Sequence, residues 1–188
     1  MKKKGLIIGI VIAAVVVIII ASLVGGYNNL IKLEEGTNTA FADVQVQLQR
    51  RSDLIPNLLN TVKGYAAHET EVFTAVSDAR AKLAGAATVD EINAAEGEMN
   101  SALSRLLAIS ESYPELKSNE NFLSLQDELA GTENRISVAR RDYNAVVQKY
   151  NVKIRSFPTN IFANMLGFEK KEQFTADESA QSVPNVNF

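Results

Sequence analysis

The sequence predicts an all-α protein, an N-terminal transmembrane helix followed by an elongated antiparallel four-helix bundle. Three observations carry this expectation. Residues 5–26 form an uncharged apolar run, four later segments repeat apolar residues at spacings of three, four and seven, and no segment alternates as a strand does between turn signals.

Leu6 to Val24 is 19 residues long, which as a helix spans about 29 Å, the thickness of a hydrocarbon core. Ile and Val crowd every face of it, whereas a buried core helix would carry some polar residues. Lys2, Lys3 and Lys4 ahead of an apolar run also begin a secretory signal. The run is longer than a signal core, however, and Ala21-Ser22-Leu23-Val24-Gly25-Gly26 offers no Ala-x-Ala cleavage site, so the segment is expected to stay as an anchor. The chain has no cysteine, which excludes disulfides and a lipidated cysteine.

Three lysines precede the span and only Lys32 follows it before Arg50. By the positive-inside rule the N-terminus is cytoplasmic and the rest lies outside, periplasmic or extracellular, a domain in the cytoplasm being the alternative. Residues 1–4 are then a short basic tail, 5–26 the transmembrane helix and 27–157 the bundle. Residues 158–168 form a short amphipathic membrane-proximal segment, and 169–188 a polar C-terminal tail. Without the three leading lysines, 16 Lys and Arg face 22 Asp and Glu. That balance disfavours nucleic acid as a partner.

The first bundle helix is expected over about Tyr27 to Ser52, with Leu30, Thr37 and Val44 in one row and Phe41 and Leu48 in the next. Gly25-Gly26 is a point where it could bend. Asp53 as N-cap and Pro56 in a first turn then predict a break and a second helix over about Ile55 to Ala84, ended by Gly85. Thr88-Val89-Asp90-Glu91 is a capping-box pattern that opens a third helix, closed near Pro114. A fourth runs over about Asn119 to Ser156, with Phe122, Leu129, Ile136, Tyr143 and Tyr150 spaced by sevens. Such rows favour shallow antiparallel packing.

Because successive helices alternate in direction, the fourth should end at the membrane. The segment that follows it carries Ile161, Phe162, Met165, Leu166 and Phe168, expected to rest on the lipid interface or a neighbouring protomer's anchor, or to cover the base of its own bundle. The tail reads either as a mobile segment or as a strap whose Phe174, Val183, Val186 and Phe188 dock on another chain.

No catalytic, cofactor or metal site is expected. The single histidine, His68, precedes Glu69, but a zinc-protease helix needs a second His where Val72 stands, and a di-iron pair needs Glu where Tyr65 stands. No Gly-x-Ser-x-Gly elbow or phosphate-binding glycine loop occurs. The polar cluster Arg50, Arg51, Asp53, Lys63, His68 and Glu69 reads either as an ion-pair network at the first helix junction or as a partner-binding patch at the membrane-distal tip.

Tyr27-Asn28, the stretch Gln47 to Leu58, Thr61-Val62-Lys63-Gly64-Tyr65-Ala66 with His68-Glu69, Ala139-Arg140-Arg141-Asp142-Tyr143-Asn144, Tyr150-Asn151, Phe157-Pro158 and Gly167-Phe168 together resemble the LemA family. The likeness covers essentially the whole chain. Ser52 departs from the larger residue common there. The resemblance implies a bacterial membrane protein with one transmembrane helix and a helical bundle, and no enzymatic activity. A relative of that family is associated with membrane shaping, which favours a self-associating scaffold contacting membrane lipids. The alternative is an adaptor or sensor accessory that presents its distal tip to an envelope protein or ligand.

Overall fold

The computed structural model describes residues 2–175, with side chains from residue 7 onward except residue 8. Val183, Val186 and Phe188, named above as candidates for docking, lie outside the described residues, as do the side chains of Lys2, Lys3 and Lys4. Every regular element among the described residues is helical: α1 (Lys2–Lys63), α2 (Thr70–Gly85), α3 (Val89–Ser110), a one-turn α4 (Pro114–Lys117), α5 (Glu120–Arg155) and a short α6 (Thr159–Ala163) that tightens into a 3₁₀ turn at Asn164–Leu166. The expected all-α bundle behind an apolar N-terminal helix is what the chain forms.

The N-terminal part of α1 is the one described helix long and apolar enough to cross a membrane, with mean hydropathy 2.8 in its most apolar stretch and none of that stretch buried by the rest of the chain. Ile10, Ile12, Val17 and Ile18 are each more than half exposed. A helix with no polar face and no protein cover is suited to lipid.

The helix runs unbroken through Gly25-Gly26, and it does not break at Asp53 to Pro56. The expected break is corrected: α1 continues through Pro56 to Lys63, and the chain turns only at residues 64–69. Proline has no N–H to give the carbonyl four residues back, here that of Ser52, a buried residue. Arg80 of α2 supplies the missing donor, its Nε lying 3.0 Å from the Ser52 carbonyl. Asp53 accordingly caps nothing. It is exposed and accepts from Gln49 within α1 at 2.7 Å.

This substitution of donors is testable. Arg80→Met should cost about 1–3 kcal/mol by orphaning a buried carbonyl, and much less in a Pro56→Ala background, where the backbone N–H is restored. Unfolding of the four proteins in a double-mutant cycle checks it. Equal costs in both backgrounds would show that Arg80 contributes only by packing.

The chain divides into two compact units. The first comprises 1–39 and 145–171, the second 40–144 and 172–188, so α1 and α5 each supply residues to both. In the second unit, Arg80 meets Ser52 across the turn at 64–69 as an antiparallel pair requires, and the three-residue connection at 86–88 returns α3 along α2. Thr88 caps α3 as expected, its hydroxyl accepting from the Glu91 amide while the Glu91 carboxylate accepts from the Ala87 and Thr88 amides. Those backbone bonds hold the Glu91 carboxyl below its ordinary value. The cap is therefore complete at neutral pH and lost as pH falls through that lowered value.

The heptad rows are the core. Val44 and Leu48 of α1, Val76, Ala79 and Leu83 of α2, Ile92, Met99 and Leu106 of α3, and Phe122, Ile136 and Tyr143 of α5 are all buried. Tyr65 and Glu69, which a continuous second helix would have placed in those rows, fall in the turn instead. Tyr65 is 38% exposed. α3 also ends earlier than expected, and Pro114 opens α4 at its first position rather than closing α3. Asn119 caps α5, its Oδ1 accepting from the Phe122 amide at 3.0 Å.

Candidate functional site

In the first unit, Leu30 of α1, Tyr150 and Ile154 of α5, Ala163 of α6 and Phe168 form one buried cluster. The last turn of α5 leads through Phe157-Pro158 into α6, and the chain then reverses at Gly167. That residue sits at φ +80°, a left-handed conformation glycine adopts without strain. The reversal returns Phe168 to the cluster, its amide bonded to the Ala163 carbonyl at 3.0 Å and its ring edge-on to Tyr27 at 5.9 Å. Phe162 meets α1 at Gly26 with the tip of its ring, whose Cζ would lie 3.0 Å from a Cβ there. α6 is thereby pinned two residues past the end of the apolar span.

The five apolar residues expected on this segment separate into two sets. Phe162 and Phe168 turn inward and close their own unit, whereas Ile161 (61%), Met165 (83%) and Leu166 (52%) face outward together with Phe157 (80%). Part of the segment thus covers its own unit, and the rest leaves an apolar face open. Periodicity could not separate them, because Gly167 breaks the helical register before Phe168.

The segment after Phe168 is a strap on its own chain. Of residues 168–174 only Phe168, Lys171 and Phe174 are withdrawn from solvent. In the first unit Asn151 holds Lys171 by both backbone groups, accepting from its amide (3.0 Å) and donating to its carbonyl (2.8 Å), while the Lys171 ammonium lies 3.5 Å from Glu34 and over the Tyr150 ring. In the second unit Asn144 holds Phe174 in the same way at 2.8 Å each, and Tyr143 donates to the Glu172 carbonyl. The Phe174 ring packs against Phe41 and Tyr143 with the Arg140 guanidinium 4.8 Å from its centroid. Phe174 therefore docks within its own chain, not on another.

The polar cluster expected at the first helix junction is not one patch, because α1 carries most of it past the expected junction. Arg50, Asp53, Lys63 and His68 are exposed, with Lys63 over the Phe73 ring. Glu69 accepts from the Tyr113 hydroxyl at 3.3 Å in the turn. Arg51 alone is buried, and it faces the core of the second unit. Its guanidinium bonds Glu133 of α5 (2.5 Å) and Asn100 of α3 (2.6 Å) and lies 3.7 Å from Glu96 of α3, which also pairs with Arg140 of α5. Glu96 is 4% exposed. Burial lowers both guanidinium pKa values, Arg140 to about 10 with a further contribution from the Arg51 charge. Both remain cations at neutral pH.

This buried charge cluster was missed in the sequence, and a signal for it was present. The row Leu30, Thr37, Val44 reaches Arg51 at the next step of seven, and Glu96 lies four residues after Ile92 and three before Met99. Among the described residues no three His, Asp or Glu side chains converge as a metal site would need.

Charge separates the two units. Beyond the apolar span, the first holds six Lys and Arg against three Asp and Glu, whereas the second holds ten against nineteen.

A family model described as LemA family matches residues 40–188. Magnetosome protein MamQ 2 of Paramagnetospirillum magneticum is 29% identical to this chain over 181 aligned positions, covering 82% of it and 66% of the relative. Magnetosome protein MamQ of Magnetospirillum gryphiswaldense is 28% identical with the same coverage. Protein LemA of Metamycoplasma hominis is 27% identical over 157 positions, covering 82% of this chain and 71% of the relative. The chain thus spans just under two thirds of the length of the magnetosome relatives.

Proposed function

This chain belongs to the LemA family, and from that premise we propose that it is a single-pass membrane scaffold whose helical domain self-associates to organise or shape a patch of membrane. The observation that carries the reading is the outward face of α1 in the second unit. Ala42, Gln45, Val46 and Gln49 line a groove of about 420 Å³ with Leu83, Ala84 and Ala86 of the α2 end. Val46 is 60% exposed at its rim. On the other flank of the same helix, Ala40, Asp43 and Gln47 line a second groove of about 400 Å³ with Arg135, Val138 and Asp142 of α5. Small and amide side chains on an exposed helix let another helix approach closely, and the glutamines can bond across it. The relatives named as magnetosome proteins are further support for this reading.

Full-length protein gently extracted in detergent should run as a large assembly by light scattering and negative-stain microscopy. Val46→Glu, placed on an exposed position, should reduce that mass to the monomer while leaving the melting temperature within a few degrees. A monomeric parent protein would overturn the scaffold reading in favour of an adaptor that presents the turn at 64–69, where Tyr65 and His68 are exposed. Arg50→Glu would then test partner capture. Arg51 is left in place because it belongs to the core.

We propose the bacterial inner membrane as the location, with the domain outside according to the lysine count. The fold supplies an observation for the opposite orientation, since it gathers Lys149, Lys153, Arg155 and Lys170 into the unit that adjoins the span. Labelling of a single Ser118→Cys variant in intact cells with a membrane-impermeant maleimide decides between them.

A further inference from the structure

We propose that the outward apolar face of the first unit, Phe157, Ile161, Met165 and Leu166, is a second membrane contact that inserts into the headgroup region of an anionic bilayer. The inference rests on the reading of α1 as a membrane anchor and not on self-association.

Four large apolar side chains within ten residues lie 52–83% exposed, while the segment's other apolar residues are used internally. Such a concentration on a domain with a well-packed core marks a contact surface. Its depth is set by Phe162 against Gly26. The apolar span ends at Val24, so Gly26 and the half-exposed Tyr27 beside it stand where hydrocarbon gives way to headgroups. A segment pinned at that level meets lipid with whatever it turns outward.

Charge selects the lipid over a second copy of the same face. The extramembrane part of this unit carries an excess of three cations, in a chain that is net negative. Lys32, Lys149, Arg155 and Lys170 are exposed, and Lys153 is half-buried in the last turns of α5. Two such faces brought together would repel, whereas anionic phospholipid attracts each Lys or Arg near its surface by roughly fivefold in affinity. Apolar insertion flanked by cations is also how interfacial helices bind anionic membranes.

The native chain contains no cysteine, so single labels report without background. Full-length Met165→Cys carrying an environment-sensitive fluorophore is reconstituted into phosphatidylcholine vesicles with or without phosphatidylglycerol. The reference is Glu35→Cys, nine residues beyond Gly26 on α1 and exposed. Leu166→Cys serves as a second reporter should the first not fold.

The label at 165 should be quenched by headgroup-level spin-labelled lipid at least about threefold more than the label at 35. Quenching should rise with phosphatidylglycerol and fall with salt, as surface electrostatics do. Lys153→Glu with Arg155→Glu should remove the dependence on anionic lipid. Equal quenching at 165 and 35 would overturn the contact. A label shielded from water but untouched by lipid quencher would also overturn it, by showing a protein neighbour on the face. Quenching indifferent to phosphatidylglycerol would overturn the anionic selectivity. None of these readouts depends on assembly mass, so failure here is distinct from failure of the scaffold reading.

Discussion

Glu96→Gln is expected to destabilise the helical domain by about 3–5 kcal/mol, the cost of leaving buried charge unpaired. Among the described residues Glu96 is the one carboxylate that touches both Arg51 and Arg140. Without its charge, the Arg51 and Arg140 guanidiniums lose their shared counter-ion, and Arg51 keeps the neutral Asn100 oxygen and Glu133, whose side chain is 49% exposed. For a domain of this size the melting temperature should fall on the order of 10 °C. The informative comparison is Arg51→Met, Glu96→Leu and Arg140→Met combined, which removes the cluster altogether and should cost less than the single amide. Thermal unfolding of the detergent-solubilised proteins checks both. A triple variant worse than Glu96→Gln would mean that the ionic contacts themselves, and not the avoidance of unpaired charge, hold α1, α3 and α5 together.

Phe174→Ala should have an effect of similar size in a different place. The ring is 6% exposed and touches Phe41, Tyr143 and the Arg140 guanidinium, and deleting such a ring costs about 3–5 kcal/mol. Because residues 171–175 carry no regular structure, that loss should appear as local opening rather than global unfolding. Hydrogen exchange at the Phe174 amide should accelerate by roughly 100-fold or more, while Ile136 in the α5 core exchanges as before. Global destabilisation would show that the strap is part of the cooperative core. Arg140 serves both Glu96 and Phe174, so Glu96→Gln and Phe174→Ala should combine non-additively.

The sequence revealed what depends on local pattern. The unbroken apolar run, the rows spaced by sevens and the Thr88 to Glu91 box each announce their structure within a few residues, because the physics behind them is local. Helix parity also survived the misplaced turn: moving the reversal from 53–56 to 64–69 does not change how many reversals precede α5. Pro56 misled because the donor that replaces its missing N–H comes from Arg80, 24 residues later. No window around the proline contains it.

The candidate residues divide for the same reason. Arg50 and Arg51 are neighbours in the polar cluster, but adjacent helical residues point about 100° apart, so one is solvated and the other buried. Nothing local tells that Met165 faces out and Phe168 in. That distinction is made by Gly26 and Leu30 on a helix more than a hundred residues earlier.

The strap also has its own rule of variation. Asn144 and Asn151 grip main-chain atoms, which every amino acid provides alike, and the side chains that are withdrawn from solvent recur only every third residue. Gln173 adds a bond of its own, donating to the Asn144 carbonyl at 3.0 Å, but residues at 169, 170 and 172 can drift among most types without loss of docking. A single inserted or deleted residue, by contrast, would rotate Lys171 or Phe174 out of phase. The strap tolerates changes of spelling far better than changes of length.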